Sequence, residues 1–301
     1  MRIARDLRAL RRILYLTADG FITDRGPRMG AALAYYTLFS LAPLLLIVVS
    51  VAGLIWGGDA VRGQLGGQLE GLLGPGVATT VQDMLRSVAW PVGGWVHTLI
   101  GLGLMLVGAT TVFAELQDAL DTIWRVPTRP VQGWQNWLRT RLLSFGLILG
   151  LVFLLLVSLL LGALLAAAQT WWQPMFGGWL RVAAAANAII SQGLVVAVFA
   201  LIFKWMPRAR IAWKDVLLGA LVTAGLFELG RWAIGTYLQH SGVASGFGAA
   251  ASVVALLVWV YFSAQILLIG AEFTWAYARV LGSRRQHEDG GELNPAKASV
   301  R

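Results

Sequence analysis

Residues 248–277 read GAAASVVALLVWVYFSAQILLIGAEFTWAY, a run that carries no charged side chain before Glu272. A helix needs about 20 mainly apolar residues to cross the roughly 30 Å of hydrocarbon in a bilayer, so this run predicts a transmembrane helix. The rest of the chain has the same character, because 57% of its 301 residues are apolar and only 13% are charged. This composition is typical of a polytopic membrane protein and not of a water-soluble domain.

Five further long apolar segments predict five more crossings. The predicted spans lie near 31–56, 97–118, 142–168, 182–203, 213–237 and 248–277. The fifth is interrupted by Glu228 and Arg231. The predicted fold class is therefore all-α, a polytopic membrane protein with six transmembrane helices.

Lys and Arg occur in alternate loops of this scheme. Of 24 basic residues, 20 lie in the N-terminal tail, the second and fourth loops and the C-terminal tail, whereas Arg62, Arg86 and Arg181 lie in the other loops. Because short basic loops stay in the cytoplasm, both termini are predicted to be cytoplasmic. Most of the 14 Trp residues lie near predicted span ends, where the amphipathic indole ring favours the headgroup level.

The chain divides into three predicted parts. Residues 1–28 form a cytoplasmic amphipathic segment, in which apolar residues at helical spacing alternate with Arg and predict an interfacial helix on the anionic inner leaflet. Residues 29–280 form the transmembrane domain, and residues 281–301 form a polar tail that is predicted to be disordered. The apolar residues of the first segment are Ile3, Leu7, Leu10 and Leu14. The first outer loop, 59–96, predicts two short surface helices.

Glu228 and Arg231 are the charged pair inside the fifth span. A charged side chain at mid-span is unfavourable by about 2.5 to 3.5 kcal/mol on insertion scales. Spacing of three residues places both side chains on one helical face, which is predicted to point into the helix bundle. That face has two alternative interpretations. The functional one is a solute or headgroup site, or a gate, and the structural one is an ion pair that holds helices together.

The other candidates for an intramembrane polar site are Glu115, Asn187, Gln192, Gln265 and Glu272. Glu115 and Glu272 lie closer to the cytoplasmic ends of their spans, so both are predicted to contact water. The three amides are predicted to form hydrogen bonds between helices, and the alternative is that they line a pathway.

Pro43 is predicted to kink the first helix, because proline lacks a backbone donor. Ser40 lies close enough to help satisfy the freed backbone groups. The kink serves either packing or gating.

Several kinds of chemistry are excluded by the sequence. The chain has no Cys, which removes disulfides, thiolate metal sites and Cys nucleophiles. His97, His240 and His287 are scattered and lack metal-ligand spacing, so neither a metal nor a cofactor is predicted. The net charge of +9 is divided across a membrane instead of collecting on one soluble face, so nucleic acid is not a predicted partner.

Four segments carry a family resemblance. They are GAALAYYTLFSLAPLL (Gly30 to Leu45), FAELQDALDTIWRV (Phe113 to Val126), FKWMPRARIAWKDVLLGAL (Phe203 to Leu221) and LLVWVYFSAQILLIGAEF (Leu256 to Phe273). In this order they resemble the YihY family, also called the BrkB or virulence-factor family. The resemblance implies a six-helix protein of the bacterial inner membrane. This chain has Asp121 where the family pattern is expected to have Asn.

Some members of that family have carried a ribonuclease name. A ribonuclease needs neighbouring general acids and bases or a metal cluster, and Asp118 and Asp121 have no His partner in the sequence. The predicted protein is therefore not an enzyme. The leading hypothesis is a protein that transports or otherwise handles a lipid or small solute, with membrane lipids as partners and the Glu228 and Arg231 face as the site. The rival hypothesis is a non-catalytic membrane scaffold or envelope-assembly protein. The sequence specifies neither the substrate nor the oligomeric state.

Overall fold

The computed structural model describes residues 2–40, 110–127, 179–240 and 251–284, together with the isolated positions 146 and 150. All regular secondary structure in these ranges is helical, which confirms the all-α class for the part of the chain that is described. The four described ranges contain six helices, α1 (Arg2–Thr23), α2 (26–40), α3 (110–123), α4 (Trp179–Trp205), α5 (Trp213–His240) and α6 (Ala251–Val280).

Two of these helices are long and apolar enough to cross a membrane. They contain the segments Trp213–Tyr237 in α5 and Val253–Val280 in α6, which coincide with the fifth and sixth predicted spans. A shorter apolar segment, Ile189–Trp205, lies in α4 at the place of the fourth predicted span.

Several predictions fall wholly or largely outside the described residues. They concern the third span, the two helices of the first outer loop, the kink at Pro43 and almost all of the C-terminal tail. The described parts of the first and second predicted spans, 31–40 and 110–118, are helical.

Helices α5 and α6 pack through a reciprocal pair of close contacts. A Cβ atom added to Gly219 on α5 would lie 1.9 Å from Oγ1 of Thr274 on α6, and a Cβ added to Gly270 on α6 would lie 2.0 Å from Oγ1 of Thr223 on α5. Each Thr hydroxyl donates to the carbonyl of the Gly four residues earlier in its own helix, at 2.7 Å. The two Thr side chains therefore fill the space left by the opposing Gly residues and keep their hydroxyls satisfied, as small residues do between membrane helices.

Helix α1 packs against α6 along one face. Ile13, Thr17 and Gly20 are buried on that face. Leu7 and Leu14 are exposed, so the helix also carries the apolar stripe that the sequence predicts for a membrane surface. Only the Leu7 and Leu14 side of the amphipathic pattern is exposed, because the Ile13 face contacts the protein, and the interfacial role of that exposed side stays a prediction.

Candidate functional site

A cavity of about 790 Å³ lies where the end of α3, the start of α5 and the end of α6 meet. Its walls contain four Arg and two Trp side chains, and it has no carboxylate among its lining residues. The lining residues are Trp124, Arg125, Arg210, Ile211, Ala212, Trp275, Arg279, Ser283 and Arg284. This cluster is called the arginine cavity below.

The Trp rings of the arginine cavity hold its guanidinium groups in place. Arg125 and Arg279 lie over the ring of Trp275, with their guanidinium carbons 5.4 Å and 4.8 Å from its centroid. The guanidinium of Arg284 lies 5.0 Å from the centroid of the Trp124 ring. Stacking on an aromatic face attracts the cation and limits its motion, while the N–H groups at the guanidinium edge keep the geometry that suits phosphate and carboxylate oxygens.

Arg125 occupies a backbone position that usually belongs to glycine. Its φ of 53° is in the left-handed region, and it follows the last turn of α3. The Val126 amide donates to the Asp121 carbonyl at 2.9 Å and the Arg125 amide donates to the Thr122 carbonyl at 3.1 Å, which is the Schellman pattern of a helix end. A side chain in this conformation is unfavourable by about 1 to 2 kcal/mol, so the fold retains a strained residue at the cavity wall.

Asp121 fixes the end of α3 to the connection between α4 and α5. Its Oδ1 accepts the Arg208 amide at 2.7 Å, and its Oδ2 lies 3.5 Å from the Arg208 guanidinium. Gln117 makes a second contact between α3 and this connection, because its Nε2 donates to the Met206 carbonyl at 3.1 Å. Burial raises the pKa of Asp121 above its ordinary value, and the amide and charge of Arg208 oppose that shift. Asp121 thus orients a loop Arg, which is a structural task.

Asp215 joins the start of α5 to the segment after α6. Its Oδ2 accepts the Ser283 amide at 3.2 Å and also the Ser283 hydroxyl. Gly282 makes this approach possible, since an added Cβ would lie 2.4 Å from Oδ1 of Asp215. The two walls of the cavity that carry Arg210 and Arg284 are therefore held together, and the Arg284 guanidinium donates to the Arg210 carbonyl at 3.4 Å.

Glu272 lies three residues before Trp275 on α6 and is fully buried, with 0% of its surface exposed. The prediction that Glu272 contacts water is wrong, because α1 covers this turn of α6. A Cβ on Gly20 of α1 would lie 2.4 Å from Oε2 of Glu272. In the part of the chain that the structure describes, neither carboxylate oxygen of Glu272 has a hydrogen-bond donor.

Asp24 lies one turn after Gly20, and its charge acts on the carboxyl group of Glu272. Oδ1 of Asp24 forms an ion pair with Arg125, whereas Oδ2 is buried without a donor among the described residues. Arg125 therefore belongs both to the arginine cavity and to a buried pair of carboxyl groups.

Glu228 and Arg231 form the predicted ion pair. They do not point into the bundle, however, because their side chains are 52% and 37% exposed. Their neighbours on α5, Leu229 and Trp232, are also exposed. The spacing predicted the pairing, but the face that carries it turns away from α6, and the structure does not bring the pair near Gln265 or Glu272.

Gln265 forms the inter-helix contact predicted for an amide. It is buried on α6, and its Nε2 donates to the Pro27 carbonyl at the start of α2 at 3.4 Å. The absence of a side chain at Gly30 lets it fit, since an added Cβ would lie 2.1 Å from Nε2 of Gln265. Gln265 is thus a packing residue between α2 and α6.

The remaining predicted site residues are not brought together. Glu115 on α3 and Gln192 on α4 are partly buried, and the side chain of Asn187 lies outside the described set. Ser40 is buried, and its hydroxyl donates to the Thr37 carbonyl at 3.2 Å. Among the described ranges, no group of three or more His, Asp or Glu side chains is placed to hold a metal ion.

The sequence contained signals for the arginine cavity that the prediction used only for topology. The topology prediction uses Arg125, Arg279 and Arg284 only as markers of the cytoplasmic side. It uses Trp124 and Trp275 only as markers of span ends. The i, i+4 spacing of Trp275 and Arg279 on one helix already places the cation beside the ring. What the sequence lacked was the convergence of α3 and α6, which places Trp124 and Trp275 in one wall.

Comparisons with known proteins agree on a membrane family. The model of the family described as Virulence factor BrkB matches residues 17–292. A UPF0761 membrane protein of Tolumonas auensis is 29% identical over 273 residues, which are 87% of this chain and 85% of the relative. UPF0761 membrane proteins of Pseudomonas paraeruginosa and Azotobacter vinelandii are 29% and 28% identical over 84% of this chain, which spans 60% of their length. No solved structure matches the chain.

Proposed function

The chain belongs to the Virulence factor BrkB family, in keeping with the resemblance of its sequence, and from that premise we propose that it handles a phosphate-bearing lipid at the cytoplasmic surface of the inner membrane. The proposed topology has six spans with both termini in the cytoplasm, following the distribution of Lys and Arg. The observation that carries the proposed function is the arginine cavity.

The chemistry of the cavity suits an anionic headgroup. Guanidinium groups bind phosphate oxygens through paired, charge-assisted hydrogen bonds, and the cavity contains four Arg residues. Its volume of about 790 Å³ lies within the roughly 300 to 1,000 Å³ of small-molecule sites. An anion in the cavity would gain several guanidinium contacts, and at Arg125 it would compete with Asp24.

The position of the cavity favours a lipid over a free solute. Trp275 and Arg279 belong to the apolar segment Val253–Val280, whereas Arg284 lies four residues beyond its end. The cavity therefore straddles the boundary between the apolar segment and the polar chain end, which is the level of lipid headgroups, where Trp rings are enriched. A bound phosphate at this level leaves the acyl chains free to follow the apolar surface of α6.

The proposed role is binding or movement of lipid and not catalysis. The lining residues of the cavity that the structure describes include no His, Asp or Glu, which are the usual general acids and bases. A ribonuclease activity is not proposed.

The test is equilibrium binding of short-chain phosphatidic acid to the full-length protein in detergent, with inorganic phosphate as competitor. Arg279→Gln and Arg284→Gln each remove a cation from the cavity. A hydrogen bond to a charged group contributes about 1.5 to 3 kcal/mol, so each change should weaken binding roughly 10- to 100-fold. Arg28→Gln, on the exposed side of α2, is the matched control and should bind as the native chain does.

Three results would overturn the proposal. Equal affinity in the native chain and in the Arg279→Gln, Arg284→Gln double variant would place the lipid elsewhere. No binding of any phospholipid by well-folded protein would favour the rival scaffold hypothesis. Full competition by inorganic phosphate at a similar concentration would show that the cavity selects the anion and not the lipid.

A further inference from the structure

Among the described residues, the two buried carboxyl groups of Asp24 and Glu272 share one positive partner, Arg125. Asp24 is 5% exposed at its side chain and pairs with Arg125 through Oδ1, which accounts for one negative charge and one positive charge. Glu272, at 0% exposure, has no donor for either oxygen in the described part of the chain. With both carboxyl groups ionised, the cluster of Asp24, Glu272 and Arg125 has a net charge of −1.

The described surroundings of Glu272 do not supply a second positive charge. Within the described ranges, the charged groups that act on its carboxyl are Asp24, from the turn after α1, and Arg125, from the end of α3. From α1 itself the group in contact is Gly20. On α5, which also packs against α6, the buried acid Asp215 accepts hydrogen bonds from Ser283. A buried ion without a partner is unfavourable by several kcal/mol.

We propose that Asp24 and Glu272 form a binding site for one small monovalent cation, either a proton or an alkali metal ion. Three oxygens of the pair are buried and have no hydrogen-bond donor in the described part of the chain, namely Oδ2 of Asp24 and both carboxylate oxygens of Glu272. Either source adds the single positive charge that neutralises the cluster. A bound proton neutralises the cluster by forming a hydrogen bond between the two carboxyl groups. A metal ion neutralises it by binding to the carboxylate oxygens.

Arg125 links this cation site to the arginine cavity. Its guanidinium pairs with Asp24 and also lines the cavity over Trp275. A phosphate that draws Arg125 away from Asp24 leaves the carboxyl groups more negative, which strengthens cation binding. By thermodynamic reciprocity the cation then strengthens phosphate binding by the same factor. This coupling rests on the proposed function, whereas the cation site itself does not.

The experiment measures thermal unfolding of the full-length protein in nanodiscs of zwitterionic lipid. One arm replaces N-methylglucamine chloride by sodium or potassium chloride at constant ionic strength, and the other varies pH between 6 and 9 without alkali metal. A cation at 100 times its dissociation constant should raise the unfolding midpoint by about 5 °C. A response to the metal assigns a metal ion, and a response to pH alone assigns a proton.

Variants show whether the response belongs to this site. Glu272→Gln and Asp24→Asn keep the side-chain size and remove one charge, so each should abolish the response. Gly20→Ala, which forces a methyl group against Oε2 of Glu272, should weaken it while both carboxyl groups remain. Asp19→Asn, an exposed carboxylate on α1, is the matched control and should respond as the native chain does.

The proposal is overturned if the native chain responds to neither cation, or if Glu272→Gln and Asp24→Asn respond as it does. Phosphatidic acid binding in the same preparations separates the two proposals. Lipid binding without a cation response refutes only the cation site. A cation response without lipid binding refutes only the proposed function and, with it, the coupling.

Discussion

Substitution of Gly219 by Ala should separate α5 from α6, because no space exists for the added methyl group. That Cβ would lie 1.9 Å from Oγ1 of Thr274 and 2.8 Å from its Cβ and Cγ2. Ordinary contacts lie at about 3.5 to 4.0 Å, so one helix must move by more than 1 Å or Thr274 must leave its position. A displaced Thr274 also loses the hydrogen bond to Gly270.

The magnitude follows from two opposing contributions. Overpacking of a tight core is unfavourable by about 1 to 3 kcal/mol, whereas Gly→Ala in a helix is favourable by about 0.8 to 1.0 kcal/mol. Gly225→Ala on the same helix isolates the second contribution, since an added Cβ there meets nothing within 4 Å. The difference between the two variants is therefore the overpacking cost of about 1 to 3 kcal/mol.

The assay is thermal unfolding of the native chain and both variants in one detergent. At roughly 2 to 4 °C per kcal/mol, Gly219→Ala should unfold about 2 to 12 °C below Gly225→Ala. Adding Thr274→Ala to Gly219→Ala removes two of the three colliding atoms and should recover part of the loss beyond additivity. A midpoint for Gly219→Ala equal to or above that of Gly225→Ala would refute the close packing of these helices.

Three further outcomes are expected. Glu228→Gln and Arg231→Gln should each lower the unfolding midpoint, because each removes one member of the ion pair, and the double variant should lose less than the sum of the two single effects; additive effects would contradict the ion pair. Arg125→Gly should be about 1 kcal/mol more stable than Arg125→Ala, because only Gly relieves the strain of the left-handed backbone; equal unfolding midpoints for these two variants would contradict the strain. Both variants should bind phosphatidic acid roughly 10- to 100-fold more weakly than the native chain. Reporter tags at residues 1, 132, 209 and 301 should be cytoplasmic and tags at 64, 176 and 242 external, and a cytoplasmic signal at 64 would contradict the proposed topology.

The apolar pattern of the sequence was sufficient to predict α5 and α6, because span length and composition are local properties. The Glu228 and Arg231 pair was predicted for the same reason, since three-residue spacing determines a shared face. The direction of that face was predicted incorrectly. Which side of α5 meets α6 depends on Gly219 and Thr223, and their fit against residues of α6 is a tertiary property.

The buried state of Glu272 could not be predicted from its own neighbourhood. It depends on Gly20, which lies near the other end of the chain and approaches Glu272 only after α1 has packed against α6. The arginine cavity is similar, because Trp124 and Trp275 come from separate helices. The distribution of Lys and Arg along the sequence identifies the cavity's Arg residues as cytoplasmic. It does not show that they lie close together in the folded protein.

The most direct test of the proposed function is a density map of the full-length protein in nanodiscs made with native lipid. The predicted result is a phosphate group in the arginine cavity, within hydrogen-bonding distance of at least two of Arg125, Arg279 and Arg284, with acyl density along α6. A cavity that contains only water, while ordered lipids occupy other surfaces of the protein, would contradict the proposal.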